Sequence, residues 1–118
     1  MNHRLSILAG LISILCTPLY AAPGLLNYQG RLTDAAGQPI TIPVNVTFTF
    51  WDAENGGAQL GGGFSDMDTV TPDADGIYST LVGDDPGNHV PESVFAGESV
   101  WLNVNIGGED LVPRLRIT

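Results

Sequence analysis

Apolar and polar residues alternate most cleanly along Val44-Asn45-Val46-Thr47-Phe48-Thr49-Phe50-Trp51. Val44, Val46, Phe48 and Phe50 share one parity, and Asn45, Thr47 and Thr49 share the other. A period of two is the mark of a strand with one buried face. Residues 99–106 repeat the pattern, with Val100, Leu102, Val104 and Ile106 inward and Trp101, Asn103 and Asn105 outward. These two stretches are expected to pair at the centre of the fold.

Shorter runs fill in around them. Residues 25–32 read as a first strand, with Leu26, Tyr28 and Leu32 on one parity and Gly30 between them. A glycine at such a place marks a bulge or a close backbone approach. Arg31 lies on the opposite, solvated parity. Ala58-Gln59-Leu60 begins a return strand, Gly61-Gly62-Gly63 interrupts it, and residues 64–71 resume it until Pro72. Residues 77–82 form another strand whose inward set is either Ile77 and Leu81 or Tyr78 and Val82. Pro91 suits the start of a single helical turn whose Val94 and Phe95 would cap an open end of the fold. Residues 111–118 begin a last strand, which Pro113 assigns to a sheet edge because it has no amide hydrogen.

Turn chemistry separates these runs. Asp34 and Gly37 precede Pro39, Asn55-Gly56 follows the opening strand, and Asp73-Ala74-Asp75-Gly76 precedes residue 77. Gly83-Asp84-Asp85-Pro86-Gly87-Asn88 is a loop, and Gly107-Gly108 makes a hairpin. No ten-residue helical pattern follows residue 22. The expectation is an all-β chain, a single antiparallel β-sandwich of Ig-like or transthyretin-like architecture.

The start of the chain reads differently. Arg4 gives a positive beginning, residues 5–16 are apolar or small, and Thr17-Pro18-Leu19-Tyr20-Ala21-Ala22 supplies a breaker and small residues. The apolar run is well short of the roughly 20 residues a spanning helix needs. Residues 1–22 are therefore expected to be a secretory signal peptide, cut after Ala21 or Ala22, with no membrane span remaining afterwards. Cys16 is preceded by Leu15, where lipoprotein processing prefers a small residue. Residues 23–118 are then the β-sandwich module, in a secreted, periplasmic or cell-surface location.

Composition sharpens this picture. Cys16 is the single cysteine, so the mature chain has no disulfide and depends on its core. The 15 glycines and 8 prolines, scattered between short apolar runs, punctuate many short strands. The formal charge is −9, and the four basic residues are Arg4, Arg31, Arg114 and Arg116. Without clustered Lys or Arg, neither nucleic acid nor an anionic membrane surface is an expected partner.

Taken in order, Leu26-Asn27-Tyr28-Gln29-Gly30-Arg31-Leu32-Thr33-Asp34, Phe48-Thr49-Phe50-Trp51-Asp52-Ala53 with Gly56-Gly57, Asp75-Gly76-Ile77-Tyr78, Val94-Phe95, Trp101-Leu102-Asn103-Val104 and Pro113-Arg114 form a motif series. The series resembles a module of bacterial secreted proteins that follows a signal peptide and stands before collagen-like, coiled-coil or tail-spike-type chaperone regions. The resemblance spans residues 25–116 and carries no catalytic residues with it. It implies a non-enzymatic surface or fibre-associated module. Two departures stand out. Gly61-Gly62-Gly63 replaces an apolar-aromatic strand, and similar chains run on past the Pro-Arg motif. Either this is a stand-alone or truncated version, or another strand completes the C-terminal edge, through self-association or a partner.

No catalytic set is expected. His89 is the single histidine after residue 22, no Gly-x-Ser-x-Gly elbow occurs, and Gly61-Gly62-Gly63 has no lysine or helix after it. A hydrolase would need two convergent carboxylates, and most of the acidic residues sit in turns. Calcium is the one cofactor the pattern suggests, with Asp66, Asp68, Asp73 and Asp75 as ligands, although an EF-hand register fails at Thr71 and Val82. The leading expectation is an exported structural or adhesive module. The alternative is a carbohydrate-binding module that stacks sugars on outward-facing Trp51 and Trp101.

Overall fold

The computed structural model describes residues 24–117. The expected signal peptide and its cleavage site at Ala21 and Ala22 lie outside the described residues. Seven strands run in the order β1 (Leu26–Arg31), β2 (Val44–Trp51), β3 (Asp66–Val70), β4 (Ile77–Val82), β5 (Trp101–Ile106), β6 (Glu109–Asp110) and β7 (Leu115–Arg116). A 3₁₀ turn, Glu92–Phe95, lies between β4 and β5, and no α-helix occurs among the described residues. The described residues are all-β, in keeping with the alternation of their side chains.

The strands form two antiparallel sheets. β1 and β4 make a two-stranded sheet, with Leu26 opposite Val82 and Arg31 opposite Ile77. The larger sheet runs β3-β2-β5, and β6 and β7 pair in turn with the far side of β5. β2 and β5 are central and adjacent, in a register that sets Phe48 opposite Val104 and Trp51 opposite Trp101. The inward faces meet in one core of Leu26, Tyr28, Tyr78 and Val82 from the small sheet and Val46, Phe48, Phe50, Leu102 and Ile106 from the large one. Tyr28 bridges the layers, its ring edge-on to Phe48 at 5.1 Å and 6.0 Å from Tyr78.

The inward parity of β4, open in the sequence, is Tyr78 and Val82, while Ile77 and Leu81 are exposed. Gly30 marks a close approach and not a bulge. The β1–β4 register runs unbroken past it, and a Cβ there would stand 3.0 Å from the Tyr78 hydroxyl and 3.1 Å from its ring carbons. The return strand at Ala58-Gln59-Leu60 shrinks to one bridge between Trp51 and Gln59, flanked by two backbone hydrogen bonds, from the Leu60 amide to the Phe50 carbonyl and from the Asp52 amide to the Ala58 carbonyl. The next three glycines all have positive φ, which no strand accommodates. Of the last strand expected from residue 111 onward, only β7 (Leu115–Arg116) forms among the described residues, and the short β6 precedes it, with Pro113 between the two. Val94 is fully buried and Phe95 packs 6.1 Å from Phe50, so the 3₁₀ turn closes the core as its sequence suggests.

Candidate functional site

β3 is an edge strand, and its inward face carries Asp66, Asp68 and Val70 opposite Phe48, Val46 and Val44. Two carboxylates therefore point between the sheets. Asp66 is 1% exposed and is the one buried charged residue described. Its Oδ2 accepts the Gly83 amide at 2.8 Å, and no donor from outside the acidic cluster reaches its Oδ1. Asp68 is half-buried, with Oδ2 accepting the Thr80 hydroxyl of β4 at 2.7 Å.

The loop after β4 completes the cluster. Gly83 takes φ +92°, and a Cβ there would collide with the Gly24 carbonyl and Val90, so glycine is required for the turn. That turn carries Asp84 and Asp85, both exposed, back to β3. Carboxylate oxygens from Asp66, Asp68, Asp84 and Asp85 all lie within 4.8 Å of one another. The loop is held from both sides: the Asn88 side-chain amide donates to the Ser65 carbonyl at 3.0 Å, and His89 Nδ1 donates to the Gly83 carbonyl at 2.8 Å.

Burial pushes the Asp66 carboxyl up to about 6 against the pull of the Gly83 amide, and the charge of Asp68, a side-chain hydrogen bond with Asp85 and the charge of Asp85 add to the rise. Burial also raises Asp68, opposed by the Thr80 hydroxyl and reinforced by Asp84 and Asp85. The three described arginines are engaged elsewhere. Arg31 Nε donates to the Asp75 carbonyl, Arg114 reaches the Ala53 and Gly56 carbonyls, and Arg116 lies over Trp101.

Of the four aspartates expected to bind a cation, the structure joins Asp66 and Asp68 and leaves Asp73 and Asp75 outside the cluster. Asp73 Oδ1 accepts the amides of Asp75 and Ile77 at 2.8 and 3.0 Å, building the β3–β4 turn. Asp84 and Asp85 carry no signal in the sequence, because they fall in a Gly/Pro loop, where aspartate is ordinary. The signal that could have found the site is parity: Phe64, Asp66, Asp68 and Val70 share one face, so two acids sit on a core-facing row.

Trp51 and Trp101 are cross-strand neighbours on the outer face of the large sheet, and both are half-buried. Arg114 stacks 4.2 Å from the Trp51 ring centre and Arg116 lies 5.8 Å from that of Trp101. Trp51 Nε1 donates to Thr49 Oγ1. On the same face Asp110 Oδ1 accepts the side-chain amides of Asn105 and Asn103, which hold its carboxyl below the usual range.

The fold and the cluster define a two-sheet, all-β domain with an acidic seam between its layers. The chain belongs to the family described as a domain of unknown function (DUF8740), which it matches over residues 27–114. No curated protein and no solved structure matches it. Among the described residues, no helix is long and apolar enough to cross a membrane.

Proposed function

We propose that the chain is an exported, non-catalytic structural or adhesive module. One observation supports this reading: the core, glycine and arginine positions of the motif series serve to build the fold. Leu26, Tyr28 and Leu32 are core, and Gly30 makes room for Tyr78. The Leu32 amide donates to the Gly76 carbonyl, and Arg31 ties β1 to Asp75. Arg114 draws the C-terminal segment onto Trp51 and the loop at Ala53 and Gly56. Asp52 Oδ1 closes that loop by accepting the Ala58 amide.

The sequence of residues 1–22 supports export. The shared outer face of Trp51 and Trp101 favours sugar binding as a second reading, but the arginines stacked on both indoles compete with a sugar for the same ring faces. The β6–β7 edge is the place for strand addition by a second copy or a partner, and its two-residue strands keep such pairing short.

Cell fractionation with N-terminal sequencing tests the export reading. The protein should be recovered outside the cytoplasm, beginning at Ala22 or Pro23. Full-length chain retained in the cytoplasm contradicts it. The same material, offered glycans and chromogenic glycoside or ester substrates, should bind no sugar and show no turnover above background. Turnover that D66N abolishes would establish an enzyme, and glycan binding that W51A or W101A abolishes would establish the second reading.

A further inference from the structure

We propose that Asp66, Asp68, Asp84 and Asp85 bind one calcium ion, which clasps edge strand β3 of the large sheet to the loop that follows β4 of the small sheet. Two independent observations meet here. The first is the geometry: four carboxylates from two separate segments converge, and their oxygens span at most 4.8 Å. That span is about twice a calcium–oxygen distance of roughly 2.4 Å. The second is Asp66 Oδ1. It belongs to a side chain 1% exposed, its sister oxygen is taken by Gly83, and no donor from outside the acidic cluster reaches it. A buried anionic oxygen without a donor is costly, and a cation among the four carboxylates removes that cost.

The ligand chemistry selects calcium. Every ligand is a hard carboxylate oxygen, which disfavours zinc and copper. Magnesium needs octahedral oxygens at roughly 2.0–2.1 Å and gives up its waters reluctantly. Calcium accepts six to eight oxygens in flexible geometry. The buried Asp66 and half-buried Asp68 form the floor of the site, and the exposed Asp84 and Asp85 leave room for waters. Exposed ligands on a loop fit the weak class of extracellular sites, with Kd on the order of 0.1–1 mM. The site itself does not depend on the export reading, which only sets the calcium concentration it meets.

Binding would have a mechanical effect. β3 is hydrogen-bonded on one side only, to β2, and side-chain bonds such as Thr80–Asp68 and Gly83–Asp66 tie it to the other layer. A shared ion makes that tie strong and calcium-dependent.

The test is thermal melting and calorimetry of the purified, chelator-stripped protein titrated with calcium chloride alone. We expect saturable binding of one ion and a Tm rise of about 5–15 °C at ~10 mM calcium, with a much smaller rise in magnesium. D66N should abolish the shift. The double variant D84N/D85N, altered only at exposed positions, should fold as wild type does and bind at least about tenfold more weakly. No shift and no binding heat at ~10 mM calcium, an equal response to magnesium, or a full response in D84N/D85N would each overturn the proposal.

Discussion

Removing the Arg114 side chain should loosen the outer end of the large sheet. Arg114 Nη1 donates to the Ala53 carbonyl at 2.8 Å and to the Gly56 carbonyl at 2.7 Å, and the guanidinium stacks 4.2 Å from the Trp51 ring centre. Hydrogen bonds from a charged donor contribute about 1.5–3 kcal/mol each when buried, and about 1 is appropriate at this half-exposed site. The stacking adds about 0.5–1 kcal/mol. R114A should therefore cost about 2–3 kcal/mol, measured as a lower urea midpoint at unchanged m-value. R114K keeps a charge but loses the planar contact, and should recover roughly half. A cycle with W51A isolates the stacking and should show about 0.5–1 kcal/mol of coupling. R114A within ~0.5 kcal/mol of wild type, or strict additivity with W51A, would refute the claim that the Pro-Arg motif braces the turn after β2.

Three further outcomes follow from the same structure. G30A forces a methyl group against the buried Tyr78 ring and should destabilise by about 1–3 kcal/mol in urea. D73A removes the acceptor of two turn amides and should cost about 1 kcal/mol while leaving the calcium response unchanged; a lost response would relocate the site. In chelator, stability should fall as pH rises from about 4 through 6. Asp66 is raised from an ordinary 3.8 to about 6, so its cost is absent where folded and unfolded chains are both protonated and complete where both are ionised. Asp68 acts in the same direction. Asp110, held low, contributes stability above its unfolded pKa that is lost as pH falls further, which places the optimum between the two effects. D66N should flatten the slope between pH 4 and 6, and an unchanged slope would contradict the assignment.

The central strands were legible because each buries one face and exposes the other. Val46, Phe48 and Phe50 on β2 and Leu102, Val104 and Ile106 on β5 are inward as their parity requires. Alternation does not reveal which face a strand buries when both are apolar. β4 offers Ile77 and Leu81 against Tyr78 and Val82, and only the fit of Tyr78 over Gly30 decides between them. Glycine-rich 61–63 and the segment around Pro113 resist reading for a different reason, since backbone conformation there overrides side-chain pattern. The acidic site was half legible. Asp66 and Asp68 stand out by sequence proximity, but proximity also suggested Asp73 and Asp75, whose carboxylates serve or border a turn. Asp84 and Asp85 arrive from across the fold, and pairing between sheets is not written in local spacing.

The most direct measurement is a crystal structure of the protein grown in millimolar calcium. A calcium clasp gives a single anomalous-scattering peak bonded at roughly 2.3–2.6 Å to Asp66 Oδ1 and to oxygens of Asp68, Asp84 and Asp85. Density that leaves Asp66 Oδ1 uncoordinated, with the four carboxylates spread apart at full calcium, would contradict it.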